Sequence, residues 1–272
     1  MDATYEPIRV HHVVSGRPDG PVVVLSNSLG ATHAMWDENL PDLERHFRVV
    51  RYDTRGHGRS PVRPGPYSID DLADDVVALL DRLGVQRAHF VGLSLGGMTG
   101  MRLAARHPER VDRLVLLCTG AHLTPSSAWL ERAATVRVDG TQAVAEAVVA
   151  RWFTPGFLEA NPEVKATCEA TVAATPDGGY AGCCEVIAAM DLRGDLPAIT
   201  APTLAIAGAD DPATPPPHLK AIADTVQDGR LLVVPDSAHL ANAQQSEIIT
   251  RDRKSTRQNS SHRSISRMPS SA

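Results

Sequence analysis

The sequence predicts an α/β fold in which helices flank a mostly parallel sheet and a helical cap is inserted between two strands. Short apolar runs alternate with helical patterns on both sides of residues 92–96, Gly-Leu-Ser-Leu-Gly, which is typical of a parallel sheet. Between residues 122 and 195, helical patterns follow one another without an intervening strand. We therefore expect a core of residues 1–121 and 196–250, a cap of residues 122–195 and a separate tail of residues 251–272.

The individual elements follow from apolar runs, capping residues and breakers. An early antiparallel strand is predicted, followed by parallel strands, at residues 8–14, 22–25, 48–52, 90–93, 113–118, 203–207 and 231–234. Ser68 is placed to cap a helix that ends near Gly84, and a second core helix covers residues 95–107. The predicted cap helices are residues 128–136, 141–149, 162–173 and 180–190.

Composition excludes several classes of protein. The formal net charge of −5 gives no basic surface for nucleic acid, and no apolar run approaches the ~20 residues that cross a bilayer. The N-terminus lacks the pattern of a signal peptide, and the four cysteines have no C-x-x-C spacing. We expect a soluble, cytoplasmic protein with reduced thiols. His11 and His12 would point to opposite faces of a strand, so we expect them to be structural and not to share a metal.

The G-x-S-x-G at residues 92–96 follows a predicted strand and opens a predicted helix. In so sharp a turn the serine adopts a strained conformation that exposes its hydroxyl, and glycines leave room for the neighbouring chain. Ser94 is therefore predicted to be the nucleophile of an acyl-transfer reaction.

An acid and a base are expected after Ser94 in the order Ser, Asp, His. Asp211 lies in the loop after a late predicted strand, three residues after Gly208, and is preferred to Asp210. His239 lies in the loop after the last predicted strand. His57 lies between two glycines, which indicates local hydrogen bonding in a tight turn in preference to catalysis.

The cap is expected to select the substrate, because loops that leave the carboxyl ends of parallel strands surround the ligand crevice. Packing or solvated surface is the alternative for aromatic and arginine side chains on helices. The candidate pocket residues in the cap are Trp129, Arg132, Arg137, Arg151, Trp152 and Phe153.

The tail differs from the rest of the chain in composition. Residues 251–272 are rich in Arg and Ser and show no helical or strand period. Residues 252–262 resemble the translation of a common sequencing adapter, so we expect the tail to be foreign or disordered and exclude it from fold reasoning.

These motifs resemble the α/β-hydrolase superfamily and, more narrowly, the 3-oxoadipate enol-lactonases. The resemblance extends from about residue 8 to about residue 245 and is carried by residues 26–30, 51–60, 92–98, 180–184, 190–193, 211–216 and 238–242.

The resemblance implies hydrolysis of 3-oxoadipate enol-lactone to 3-oxoadipate, in the protocatechuate branch of the β-ketoadipate pathway. A Ser94–His239–Asp211 triad would form an acyl-enzyme, with an oxyanion hole made by the amides of Leu29 and Leu95. The implied partner is a small anionic lactone, and the reaction needs no metal or organic cofactor. The alternatives are another carboxylesterase, lactonase or haloperoxidase-like hydrolase, which would prefer uncharged substrates, and a receptor on the same fold that binds without turnover.

Overall fold

The computed structural model describes residues 6–249 of the chain. These residues contain a seven-stranded sheet. Its strand order is β1-β3-β2-β4-β5-β6-β7; β1 is antiparallel to β3, and the other neighbours are parallel. The strands are β1 His12–Gly16, β2 Val22–Ser26, β3 Arg48–Tyr52, β4 Ala88–Leu93, β5 Val111–Leu117, β6 Thr203–Gly208 and β7 Gly229–Val234. The predicted α/β class is confirmed. The predicted tail, residues 251–272, lies outside the described residues.

The first strand begins later than the sequence predicts. Ile8 and Val10 are buried, but they precede β1 and do not pair with β3. The Ile8 N–H instead donates to Asp75 Oδ1 at 2.7 Å. The apolar alternation at residues 8–14 therefore reflects burial against the core as well as strand pairing.

Helices cover the sheet and fill the chain between β5 and β6. Their bounds are α1 Leu40–Leu43, α2 Ile69–Arg82, α3 Leu95–Arg106, α4 Ser126–Asp139, α5 Ala145–Trp152, α6 Pro155–Ala160, α7 Pro162–Ala173, α8 Asp177–Ala189, α9 Pro216–Thr225 and α10 Ala241–Gln244. α3 packs on β2, β4 and β5, and α4 packs on α8 within the cap segment. None of the described helices combines the length and apolarity needed to cross a bilayer.

Two helices that the sequence analysis did not predict begin with proline. α6 starts at Pro155 and α9 at Pro216, and each is ten residues long or shorter. Proline is well tolerated at the first position of a helix, where its missing N–H has no acceptor to lose. Short helices also give few repeats of the 3.6-residue period, so their sequence signal is weak. The predicted helix at residues 141–149 is divided into a 3₁₀ turn, Thr141–Val144, and α5.

A buried ion pair joins the loop after β3 to α2. Arg55 is fully buried, and its Nε donates to Asp75 Oδ2 at 2.8 Å. Its Nη2 donates to the Asp71 carbonyl at 2.9 Å. Since Asp75 also accepts the Ile8 N–H, this pair connects α2 to both the β3 loop and the segment before β1.

Asp75→Ala should lower the free energy of unfolding by about 3–5 kcal/mol, because it removes the nearer carboxylate of the buried Arg55 and leaves only Asp71, whose Oδ2 is 4.0 Å from Arg55 Nη1. Asp224→Ala is the matched control: Asp224 pairs with Lys220 at 2.6 Å, but both side chains are exposed, and the loss should stay near 0.5 kcal/mol. Urea unfolding of both variants measures the difference. Equal losses would show that the Arg55–Asp75 pair does not stabilise the fold.

Candidate active site

Ser94 lies in a sharp turn between β4 and α3. Its backbone is at φ 55° and ψ −116°, outside the regions that side chains with a Cβ ordinarily adopt. The turn is held by two hydrogen bonds: the Ser94 N–H donates to the Leu117 carbonyl at 2.9 Å, and Thr119 Oγ1 donates to the Ser94 carbonyl at 2.7 Å. β5 and the residues after it thus fix the strained serine.

The two glycines of the motif are required by close backbone contacts. A Cβ on Gly92 would overlap the Gly96 carbonyl, and a Cβ on Gly96 would overlap the Ser26 carbonyl at the end of β2. The Gly96 N–H also donates to the Asn27 carbonyl at 2.9 Å. The first turn of α3 therefore lies directly against the loop that follows β2.

His239 and Asp211 form a buried pair at the ends of β7 and β6. His239 Nδ1 lies 2.8 Å from Asp211 Oδ2, and both residues are almost fully buried. Asp211 Oδ1 accepts the N–H groups of Ala213 and Thr214 at 2.8 and 3.1 Å. Burial alone would raise the pKa of the Asp211 carboxyl, but the facing His239 and these hydrogen bonds lower it to about 2. The carboxylate is therefore held ionised toward the imidazole.

Thr214 contacts both members of this pair, and the sequence analysis did not predict it. Its hydroxyl donates to Asp211 Oδ2 at 2.7 Å and lies 3.4 Å from His239 Nδ1. The signal that could have identified Thr214 is the pattern Asp-Pro-Ala-Thr at residues 211–214. In such a turn, an aspartate carboxylate accepts hydrogen bonds from the backbone amides two and three residues later.

The loop after β2 carries Leu29, the first residue expected to supply an oxyanion amide. Asn27 fixes this loop, because its side chain donates to the Tyr52 carbonyl at 2.7 Å and accepts from Trp36 Nε1 at 3.0 Å. Among residues 6–249, no hydrogen-bond acceptor faces the amide N–H of Leu29 or of Leu95. Both amides are thus available to an oxygen of a bound molecule.

His57 is fully buried and bonded locally. Its Nε2 accepts the Gly30 N–H at 3.0 Å, and its Nδ1 lies 3.1 Å from the Arg55 carbonyl. These contacts require the Nδ1–H tautomer. Burial lowers the pKa of this imidazole, so it is held neutral as a support for the loop that carries Leu29.

His239 and Leu29 line a cavity of about 40 Å³ beneath the cap segment. Four of the predicted pocket residues, Trp129, Arg132, Arg151 and Trp152, line the same cavity together with Ser28, Val148, Tyr180 and Ala213. Ser94 is not part of this lining, and within the described chain no hydrogen bond joins its hydroxyl to His239. His239, the loop after β2 and side chains of the helices between β5 and β6 therefore line one cavity. Ser94 lies outside this lining, in the turn between β4 and α3.

Two further candidates from the sequence lie elsewhere. Arg137 is exposed, pairs with Glu185 at 2.7 Å and does not line this cavity. Phe153 lines a neighbouring cavity of about 390 Å³ and stacks on Phe157 with ring centroids 4.9 Å apart. Trp152 contributes to both linings and thus stands between the two spaces.

The two arginines of the small cavity have no carboxylate within ion-pair distance among residues 6–249. The guanidinium of Arg132 instead stacks over the Trp129 ring, 4.7 Å from its centroid. Burial and the nearby charge of Arg132 lower the pKa of Arg151. The two guanidinium groups repel each other, and in the described chain neither has a carboxylate within ion-pair distance, an arrangement that favours an anion in this cavity.

The comparisons with known proteins agree with this architecture. Residues 21–245 match the family described as alpha/beta hydrolase fold. The chain is 38% identical to 3-oxoadipate enol-lactonase 2 of Acinetobacter baylyi, over 89% of this chain and 90% of that protein. It is 33% identical to the candidate carbamate hydrolase RutD of Stutzerimonas stutzeri, over 88% of this chain and 92% of that one.

A solved structure gives the same result. The enol-lactonase from Burkholderia xenovorans LB400 superimposes with a TM-score of 0.87 at 40% identity, over 89% of this chain and 94% of that chain. The strand order, the turn at residue 94, the family match and these relatives agree. The chain belongs to the α/β-hydrolase family, as its sequence motifs predict.

Proposed function

We propose that this chain hydrolyses 3-oxoadipate enol-lactone to 3-oxoadipate, a reaction of aromatic-compound catabolism. One observation carries the choice of substrate: the cavity beside the His239–Asp211 pair presents Arg132 and Arg151, two cations without a carboxylate partner among the described residues. This lactone carries a free carboxylate remote from the ester bond that is cleaved. The similarity to two enol-lactonases supports the same choice.

In the proposed reaction, Ser94 Oγ attacks the lactone carbonyl and His239 Nε2 accepts the hydroxyl proton. Asp211, bonded to His239 Nδ1, holds the imidazole in the required tautomer and stabilises its charged form. The amides of Leu29 and Leu95 donate to the oxyanion, and each such donor is typically worth ~10²–10³ in rate.

Collapse of the tetrahedral intermediate breaks the bond between the acyl carbon and the ring oxygen. His239 returns its proton to that oxygen, giving an enol that tautomerises to the ketone of 3-oxoadipate. A water molecule, deprotonated by His239, then attacks the acyl-enzyme and releases the second carboxylate together with Ser94. Arg132 and Arg151 would bind the free carboxylate throughout.

Carbamate hydrolysis is the second candidate, because the similarity to RutD also covers most of both chains. The same serine, base and oxyanion donors could act on a carbamate carbonyl. Such a substrate does not by itself account for two cavity arginines that lack a carboxylate partner among residues 6–249. Turnover of the enol-lactone, a small carbamate and neutral p-nitrophenyl acetate by the same preparation distinguishes these activities.

Ser94→Ala should abolish hydrolysis while the protein stays folded, because loss of a triad nucleophile typically costs ~10⁶ in kcat. His239→Gln should cause a comparable loss, whereas His46→Gln, at an exposed histidine before β3, should leave kcat unchanged. Steady-state kinetics and circular dichroism test all three. More than a hundredth of the wild-type kcat in Ser94→Ala would exclude Ser94 as the nucleophile.

Arg132→Met and Arg151→Met should raise KM for the anionic lactone roughly ten- to 150-fold, the equivalent of losing about 1.5–3 kcal/mol of charge-assisted hydrogen bonding. KM for p-nitrophenyl acetate should hardly change. Arg137→Met is the matched control, because this arginine pairs with Glu185 away from the cavity. If neither cavity arginine affects the two substrates differently, the proposed carboxylate site is wrong.

A further inference from the structure

Three polar side chains meet at the carboxyl end of β3, outside the candidate active site. One ring nitrogen of His11, one of His33 and one carboxylate oxygen of Asp53 all lie within 4.8 Å of one another. The His11 and His33 rings are edge to face, with centroids 5.5 Å apart, and Asp53 is buried.

The backbone brings these three groups together. The Asp53 N–H donates to the His11 carbonyl at 3.0 Å, which continues the antiparallel register of β1 and β3 and sets the two residues side by side. The His33 N–H donates to Asp53 Oδ1 at 2.8 Å and thereby ties the start of the 3₁₀ helix His33–Asn39 to the same carboxylate. The cluster is preorganised by main-chain contacts from three segments.

The hydrogen bonding of the cluster is incomplete. His11 Nε2 is buried and has no hydrogen-bond partner among the described residues. His33 Nδ1 lies 2.9 Å from Asp53 Oδ1, and Asp53 Oδ2 accepts the Arg59 N–H at 3.0 Å. A buried nitrogen without a partner is costly, so its position beside a histidine and a carboxylate needs a physical explanation.

The charges of the cluster favour a cation. Both oxygens of Asp53 accept backbone hydrogen bonds, Oδ1 from the His33 N–H and Oδ2 from the Arg59 N–H, and such contacts favour the charged carboxylate. In the described chain, no arginine or lysine pairs with Asp53, which leaves one negative charge beside two imidazole rings.

We propose that His11, His33 and Asp53 form a binding site for a divalent transition-metal ion such as Zn²⁺. Two imidazole nitrogens and one carboxylate oxygen are a donor set that zinc binds tetrahedrally, with a fourth position for water and bonds of about 2.0–2.2 Å. His33 would coordinate through Nδ1, with its ring proton on Nε2. The 21% exposure of the His33 side chain allows that N–H to reach water.

The bound ion would connect the segment before β1, the 3₁₀ helix after the β2 loop and the loop after β3. That last loop carries His57, which supports Gly30 beside Leu29. The site is distinct from the chemistry proposed for Ser94, and its effect is on the stability of these loops. Binding to the folded state alone raises the melting temperature with metal concentration.

Isothermal titration of the full chain, freed of metal with EDTA and dialysed, tests the site with ZnCl₂ as the probe. We expect one zinc ion per chain and a rise in melting temperature. His11→Asn and His33→Asn should each weaken zinc binding about tenfold or more, whereas His12→Asn, at the adjacent histidine outside the cluster, should not.

Imidazole ¹H–¹⁵N spectra of the wild-type protein give the same answer if a variant fails to fold. Zinc should then shift the ring nitrogens of His11 and His33 and leave His12 and His46 unchanged. Absence of one-to-one binding at millimolar zinc, equal affinity in all three variants, or shifts at other histidines would each overturn the proposal.

Discussion

The backbone conformation of Ser94 is the constraint on which the arrangement of the site depends. A serine at φ 55° is unfavourable, and it persists because β4, α3 and β5 hold it from three sides. The same constraint forbids a side chain at Gly92 and Gly96 and presses α3 against the end of β2. Consequently the loop that carries Leu29 lies beside the first turn of α3, where the Leu95 amide is free of protein acceptors in the described chain.

The remaining groups of the site are arranged around this turn by the parallel sheet. β6 and β7 deliver Asp211 and His239 at the same edge, and Thr214 and Ala213 hold the carboxylate toward the imidazole. Buried polar residues also fix the neighbouring loops: the Asn27 side chain donates to the Tyr52 carbonyl, and His57 accepts the N–H of Gly30, the residue after Leu29. Each of these side chains is buried because it satisfies main-chain groups that the loops would otherwise leave without partners.

The helices between β5 and β6 contribute several residues that line the cavity beside His239. α4 and α5 bring Arg132 and Arg151 to one cavity without a carboxylate between them among the described residues, while Arg137, one turn further along α4 from Ala133, points to Glu185. Close approach of two like charges is unfavourable in the absence of an anion.

The sequence by itself determined the α/β class, the strand and helix around Ser94 and the order in which Ser94, Asp211 and His239 follow their strands. These features depend on local periods, glycine positions and chain order, which are written in the sequence. Only the tertiary structure decided which arginines face the cavity, that Thr214 and Asn27 support the loops, and that His11 lies beside His33 and Asp53. The position of a residue in a helix determines which face of the helix its side chain lies on, and its position in a strand determines which side of the sheet its side chain lies on. Neither constrains which distant residue lies opposite, because that contact depends on sheet register and on the packing of the cap.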